Sequence, residues 1–162
     1  MLITVIIPCY NENRTISKII DKILSLKNLN LQIIVIDDCS TDGTREILKN
    51  EISERVDKII YHNINKGKGA AIKSSIKSIK GDIILIQDAD LEYDPMDYYN
   101  LLKPFKNENI KVVYGSRVLG RSIENKSTLI QKYRIIGNYL LTKFSNLINN
   151  QNLTDAHTCY KF

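Results

Sequence analysis

The 162-residue sequence contains no tryptophan, only three prolines and two histidines, and three cysteines. Cys9, Cys39 and Cys159 are odd in number and far apart, no C-x-x-C pair occurs, and His62 and His157 share no ligand spacing with them. This argues against a disulfide framework or a zinc site and points to a reducing compartment. No apolar run approaches the roughly 18 residues that span a bilayer. The N-terminus lacks the basic, apolar and small-residue regions of a secretory signal. The expectation is a cytoplasmic protein, free or peripheral at the cytoplasmic face of a membrane. Blocks of like charge and aromatic interleaving of the kind that stacks bases are also missing, which argues against nucleic-acid binding. There is no internal repeat, low-complexity tract or linker, so residues 1–162 read as a single domain, long enough to bury a core.

With 23 basic and 18 acidic residues the chain carries a net charge of +5. That excess suits an anionic ligand or an anionic membrane surface, and is equally compatible with neither. The apolar pattern alternates strand with helix. Ile3 to Ile7, ended by Pro8, reads as a buried strand, and Ile16, Ile19, Ile20, Ile23 and Leu24 fall at helical spacing within 12–26. Leu31 to Ile36 reads as a second strand. Ser40-Thr41-Asp42-Gly43-Thr44 then offers caps for a helix over about 42–50. Strands over Val56 to Tyr61, Asp82 to Ile86 and Ile110 to Tyr114 follow, with helices over about 67–79, from Pro95 to about 105, and over about 128–149. Short strands alternating with helices predict an α/β fold, a mostly parallel sheet with helices on both faces. Ligands bind outside the carboxyl ends of such strands. Four polar segments follow strands and should converge on one rim: Pro8-Cys9-Tyr10-Asn11-Glu12, Asp37-Asp38, Asn65-Lys66-Gly67-Lys68 and Asp88-Ala89-Asp90.

In Asp88-Ala89-Asp90, two carboxylates so close repel unless a cation or donors neutralise them. A hard ion such as Mg²⁺ or Mn²⁺ does this, using one or two carboxylates and substrate phosphate oxygens, and Glu92 can add a third oxygen. A solvated acidic turn is the competing reading. Asp37 and Asp38 exceed what capping and turn chemistry require, and one of them can accept from a nucleobase or a ribose hydroxyl. The segment from Lys66 to Ala71 matches neither common phosphate-loop pattern. Its small residues, its lysines (Lys68 among them) and the start of a helix still favour anions, while an ordinary glycine-rich turn explains it equally well. Arg117, Arg121 and Arg134 offer forks for a diphosphate or phosphate acceptor, Arg117 foremost because it follows a strand. His157 has the chemistry of a general base but no visible orienting partner.

Taken together, VIIPCYNE at 5–12, VIDDCSTDGT at 35–44, NKGKGAA at 65–71, DIILIQDADLEY at 82–93, YGSR at 114–117 and LTDAHTCYK at 153–161 resemble family 2 glycosyltransferases of GT-A type, a Rossmann-like α/β fold. The nearest branch is that of dolichol-phosphate mannosyltransferases and polyprenyl-phosphate glycosyltransferases. The resemblance implies that Pro8, Tyr10, Glu12 and Asp38 hold the base and ribose of a UDP- or GDP-sugar. Lys68 and Asp88 would also contact the nucleotide. Asp88, Asp90 and Glu92 would hold Mg²⁺ or Mn²⁺, the DXD role. Arg117 and Arg134 would meet the diphosphate or acceptor phosphate, and Asp90, Asp155 and Arg117 would stand at the reacting centre. The implied reaction is an inverting, metal-dependent transfer of a hexose to a lipid phosphate or glycan, in cell-envelope or glycan biosynthesis. Relatives run several dozen residues further, so the chain is expected to be truncated on the acceptor side, with peripheral membrane contact or oligomerisation through the helix near 128–149. The alternative is a sugar-nucleotide-binding domain without transfer. A nucleotidyltransferase fits less well, because it would carry a glycine-rich basic segment where Pro8 to Glu12 stand.

Overall fold

The computed structural model describes residues 1–116, 129–150 and 152–155, with side chains in the last helix described from Gly137 onward. Two compact units result, Met1–Lys103 and Pro104–Lys161.

The first unit is built on a parallel sheet. Its strands are β1 (Leu2–Cys9), β2 (Asn30–Asp37), β3 (Lys58–Tyr61) and β4 (Ile83–Ile86), in the order β3-β2-β1-β4. The register pairs Ile6 with Ile34 and with Ile86, and Val35 with Ile59. Between the strands lie α1 (Ile16–Leu24), α2 (Thr44–Ile47, continued by a wider π-helical turn Leu48–Ile52) and α3 (Lys68–Ser75, ending in a 3₁₀ turn Ile76–Ser78). A short α4 (Tyr98–Leu101) follows a 3₁₀ turn that Pro95 opens, capped by the Asp94 side chain on the Met96 N–H.

Near-continuous apolar strands are explained by burial on both faces. Ile6, Ile34 and Ile36 pack with Ala71 of α3, and Ile60, Ile72 and Ile79 close over them. The alternate residues Ile3, Val5, Ile7, Ile33 and Val35 are equally buried. Of the helical stripe anticipated in α1, Ile16, Ile19, Ile20 and Ile23 are fully buried, whereas Leu24 at the end of the helix is 45% exposed. Each buried isoleucine is worth about 1.5–3 kcal/mol relative to exposure.

Three expectations change. Pro8 does not end β1, which runs through it to Cys9. Carbonyls alternate sides along a parallel strand. Ile6 O accepts from Gln87 N on the β4 side, and Cys9 O from Asp38 N on the β2 side. The Pro8 nitrogen therefore faces β4, whose pairing has ended at Ile86. No ladder bond is lost, and a gap opens there. The fifth strand is not formed: residues 110–113 are irregular and Tyr114 makes one isolated bridge. Val112 stays 57% exposed, so its β propensity finds no buried face to act on. Finally, the helix expected to run to about 105 ends at Leu101 and gives way to a 3₁₀ segment at Lys103–Lys106, where Pro104 can supply no helical N–H.

The second unit contains α5 (Leu129–Asn149). Asn138 donates to Asp155 (3.2 Å), and Asn146 exchanges two bonds with the Leu153 backbone. Thr142 and Asp155 are buried, while Tyr139, Leu140, Leu141, Phe144, Leu147 and Ile148 are exposed.

Candidate active site

The strand order reverses at β1, which lies between β2 and β4. Crevices form at such a switch point, outside the carboxyl ends of the strands. An open cleft of about 230 Å³ lies there, lined by Pro8 within β1, Tyr10 and Glu12 after it, Asp38 after β2, Lys68 on α3, and Asp88 and Asp90 after β4. The structure thus brings seven of the anticipated residues together. Asp155 is buried in the second unit, hydrogen-bonded to Asn138. Glu92 is exposed, and its N–H donates to Asp90 Oδ1 at 3.0 Å. Arg117, Arg121 and His157, and the side chain of Arg134, lie outside the described residues.

The loops around the cleft are tied to one another. Asn11 adopts a left-handed φ of 58°. Its N–H donates to Ser40 Oγ and its side-chain oxygen accepts from Thr41 N. Glu12 N donates to Thr44 Oγ1 (2.8 Å), and its carboxylate accepts from Thr15 Oγ1. Asp42 caps α2 by accepting from Thr44 N and Oγ1, with Gly43 at φ 97° between them. That φ suits glycine.

The adjacent aspartates divide the work. Asp37 is fully buried and accepts from Arg45 Nε (2.7 Å) and Nη2 (2.6 Å). Arg45 also donates to His62 O and sits 5.3 Å from the Tyr61 ring centroid. Asp38 lies at the cleft wall, 3% exposed. It accepts from His62 Nδ1 (2.7 Å), Lys66 N (2.9 and 3.1 Å) and Gly67 N (2.7 Å). Burial alone would raise its pKa, but the Lys66 N–H, the His62 side chain and the Gly67 N–H outweigh that and hold it below the ordinary carboxylate range. Opposite, Lys68 Nζ makes a short ion pair with Asp88 Oδ1. At Cys9, beneath the cleft, burial first and then the Asp37 charge push the thiol far above its usual value, which disfavours the thiolate.

Sequence reasoning missed Arg45, His62 and the pair Gln87–Tyr98. Gln87 and Tyr98 are fully buried. Tyr98 OH donates to Gln87 Oε1 (2.7 Å) and Gln87 Nε2 to Asp88 O (3.0 Å), which fixes the backbone of the acidic turn from below. A glutamine directly before Asp88, at the end of an apolar strand, was the available signal. His62 follows β3 and so obeys the strand-end rule that selected Asp38.

Among the described residues no three His, Cys, Asp or Glu side chains form a ready-made metal cage. Asp88 and Asp90 do fit a hard cation that takes one or two protein carboxylates and completes its shell with phosphate and water oxygens.

Residues 4–162 match the model of glycosyl transferase family 2. The chain belongs to that family. A dolichol-phosphate mannosyltransferase of Pyrococcus furiosus is 35% identical over 127 residues, 77% of this chain and 36% of its own length. The mannosyltransferase PcManGT from Pyrobaculum calidifontis, solved with GDP-Man and Mn²⁺, superposes with a TM-score of 0.63 at 27% identity, over 70% of this chain and 35% of that one. Glucosyl-3-phosphoglycerate synthase from Mycobacterium tuberculosis, with Mn²⁺, UDP and glucosyl-3-phosphoglycerate, gives 0.69 at 22% identity over 98% of this chain and 55% of that one, and shows the fold alone. This family 2 glycosyl transferase chain therefore has the GT-A type α/β fold, and it spans about a third of the Pyrococcus relative's length.

Proposed function

We propose that the cleft binds a nucleoside-diphosphate sugar with Mg²⁺ or Mn²⁺, and that the protein transfers the sugar with inversion to a polyprenyl or dolichyl phosphate. The observation that carries this is the meeting of Asp38, Lys68, Asp88 and Asp90 with Pro8, Tyr10 and Glu12 in one crevice between strand ends. The dolichol-phosphate relative supports a lipid-phosphate acceptor, and the complex with GDP-Man and Mn²⁺ supports the donor and the ion.

Tyr10 is half exposed at the rim and offers a ring face to a base, with Pro8 and Glu12 beside it. Lys68 and the first N–H groups of α3 face the negative charge of a diphosphate. Diphosphate oxygens would replace Asp88 as the partner of Lys68. Asp88 and Asp90 would hold the divalent cation, which supplies charge neutralisation for the leaving diphosphate. The acceptor oxygen forms its bond to the anomeric carbon as the bond to the diphosphate breaks on the opposite face. A lipid phosphate is already anionic at neutral pH, so no strong general base is required of this chain. The roles assigned by resemblance to Arg117, Arg134, Asp155 and Glu92 stand as proposals on the same footing.

A thermal-shift series with UDP- and GDP-sugars, with and without Mn²⁺, tests the reading. Stabilisation by one nucleotide sugar that grows with Mn²⁺ is expected. Absence of any response to either nucleotide would overturn it. Radiolabelled transfer to polyprenyl phosphate then separates an active transferase from a domain that binds without transferring.

A further inference from the structure

The structure assigns His62 as a positioning residue of the cleft: its imidazole, set between Asp38 and Ser74, holds the segment 65–68 that aims Lys68 and the start of α3 at the ligand. The assignment rests on the nucleotide-sugar reading above for what the ligand is, and on geometry for the rest.

His62 follows β3 directly and is 7% exposed. Its N–H donates to Asp37 O (2.9 Å), and its carbonyl accepts from Arg45 Nη2 (2.6 Å), so Asp37 and its partner Arg45 fix the backbone. Its Nδ1 lies 2.7 Å from Asp38 Oδ1, and its Nε2 lies 3.1 Å from Ser74 Oγ on α3. An ionised carboxylate only accepts, so Nδ1 carries the proton in this pair. With the Lys66 and Gly67 N–H groups on the same carboxylate, the acceptor positions of Asp38 are filled from inside the protein. Asp38 therefore works as the hub of a loop. Remove the imidazole and one donor leaves the hub, while α3 loses its side-chain tie to β3. Gly67, at φ 84° and ψ 159°, keeps its N–H on Asp38 and Asn65, but the Asp38 carboxylate that holds its positive-φ turn has lost one of its own anchors, and Lys68 follows it directly. Sequence spacing hides the arrangement, because 24 residues separate His62 from Asp38 and 12 separate it from Ser74.

Asparagine and glutamine divide the imidazole's two functions. The amide nitrogen of Asn reaches the place of Nδ1, and the terminal amide of Gln, with an acceptor and a donor, the place of Nε2. Full-length wild type, His62→Asn, His62→Gln and His62→Ala are compared by two measurements. One is amide hydrogen exchange at Lys66 and Gly67 in the free protein; the other is calorimetric affinity for UDP and GDP with Mn²⁺. His62→Gln and His62→Ala should speed exchange at both amides and weaken nucleoside diphosphate binding by roughly 10-fold or more, while His62→Asn stays within about 3-fold of wild type. Should His62→Ala fail to fold, the contrast between Asn and Gln carries the test, since both keep a polar amide at the position. Unchanged exchange in His62→Gln, equal losses in Asn and Gln, or faster exchange with unchanged affinity would each overturn the assignment. If wild type itself binds neither nucleotide, the nucleotide reading fails. The Asn-over-Gln ordering in exchange then still reports whether His62 holds the loop.

Discussion

At the scale of single residues, the site rests on carboxylates whose neighbours differ. Asp90 stands after β4 in the cleft and accepts one bond, from the Glu92 N–H. Asp90→Ala should abolish the Mn²⁺ dependence of nucleoside diphosphate binding, measured by calorimetry, while thermal stability stays near wild type. Intact metal dependence in the variant would remove Asp90 from the ion's shell. Asp38 is buried and fully engaged, so Asp38→Asn, which turns an acceptor towards the Lys66 and Gly67 donors into an amide, should cost about 1–3 kcal/mol of stability and comparable binding. The pH dependence follows from linkage. The folded-state pKa of Asp38 lies below its ordinary 3.8, so the unfolded chain takes up the proton first as pH falls. Its contribution is therefore complete above that value and disappears as pH drops through the lower folded pKa. Urea unfolding of both proteins should show a gap that is widest near neutral pH and narrows below 3.8. A gap independent of pH would mean that Asp38 acts through shape rather than charge.

Elements place these residues by where they start and stop. β1 reaches the cleft because Pro8 turns its missing N–H to the side where β4 has ended. At the other end of the sheet, Gly81 brings the chain into β4 against β1. A Cβ there would lie 2.6 Å from both Thr4 N and Thr4 Oγ1, and 2.9 Å from Leu2 O. Thr4 is held in turn by Gln32, which also binds Ser78 O and Lys80 N. Backbone cannot yield as a flexible side chain would, so Gly81→Ala should destabilise by about 1–3 kcal/mol in chemical denaturation. The strain would be felt along β4, and the metal and nucleotide binding proposed for Asp88 and Asp90 should weaken. Wild-type stability in this variant would show that the β1–β4 join tolerates displacement.

For the molecule as a whole, the exposed apolar row on α5 is the largest feature the cleft does not explain. Phe144 is 63% and Leu147 81% exposed, while polar Asn138, Thr142 and Asn146 face inward contacts. Among the described residues no helix is long and apolar enough to cross a membrane. An apolar face on a chain of net charge +5 suits adsorption to an anionic lipid surface, in keeping with the lipid-phosphate acceptor proposed above. Replacing Phe144 and Leu147 together by serine should change stability by no more than about 0.5 kcal/mol per site and sharply reduce sedimentation with anionic vesicles. Undiminished vesicle binding would clear this face of that role, and a loss of light scattering without lipid would show self-association instead.

The alternation of short apolar runs with helical spacing determined the parallel α/β sheet, because strand segments buried on both faces are near-continuously apolar, as Val5–Ile7 of β1 and Ile33–Ile36 of β2 are. The strand-end rule by itself groups Pro8, Tyr10, Glu12, Asp38, Lys68, Asp88 and Asp90 on one rim. Strand order, by contrast, depends on which edges meet, and one-dimensional periodicity carries no record of that. Hence only the tertiary structure put β1 beside both β2 and β4 and opened the cleft between them. The same holds for partners: Arg45, His62, Gln87 and Tyr98 acquire their roles from atoms that folding brings within 3.2 Å. Ile110 to Tyr114 marks the limit from the other side. Its β-branched residues promised a strand, but with one isolated bridge at Tyr114 and Val112 left exposed, propensity alone did not make one.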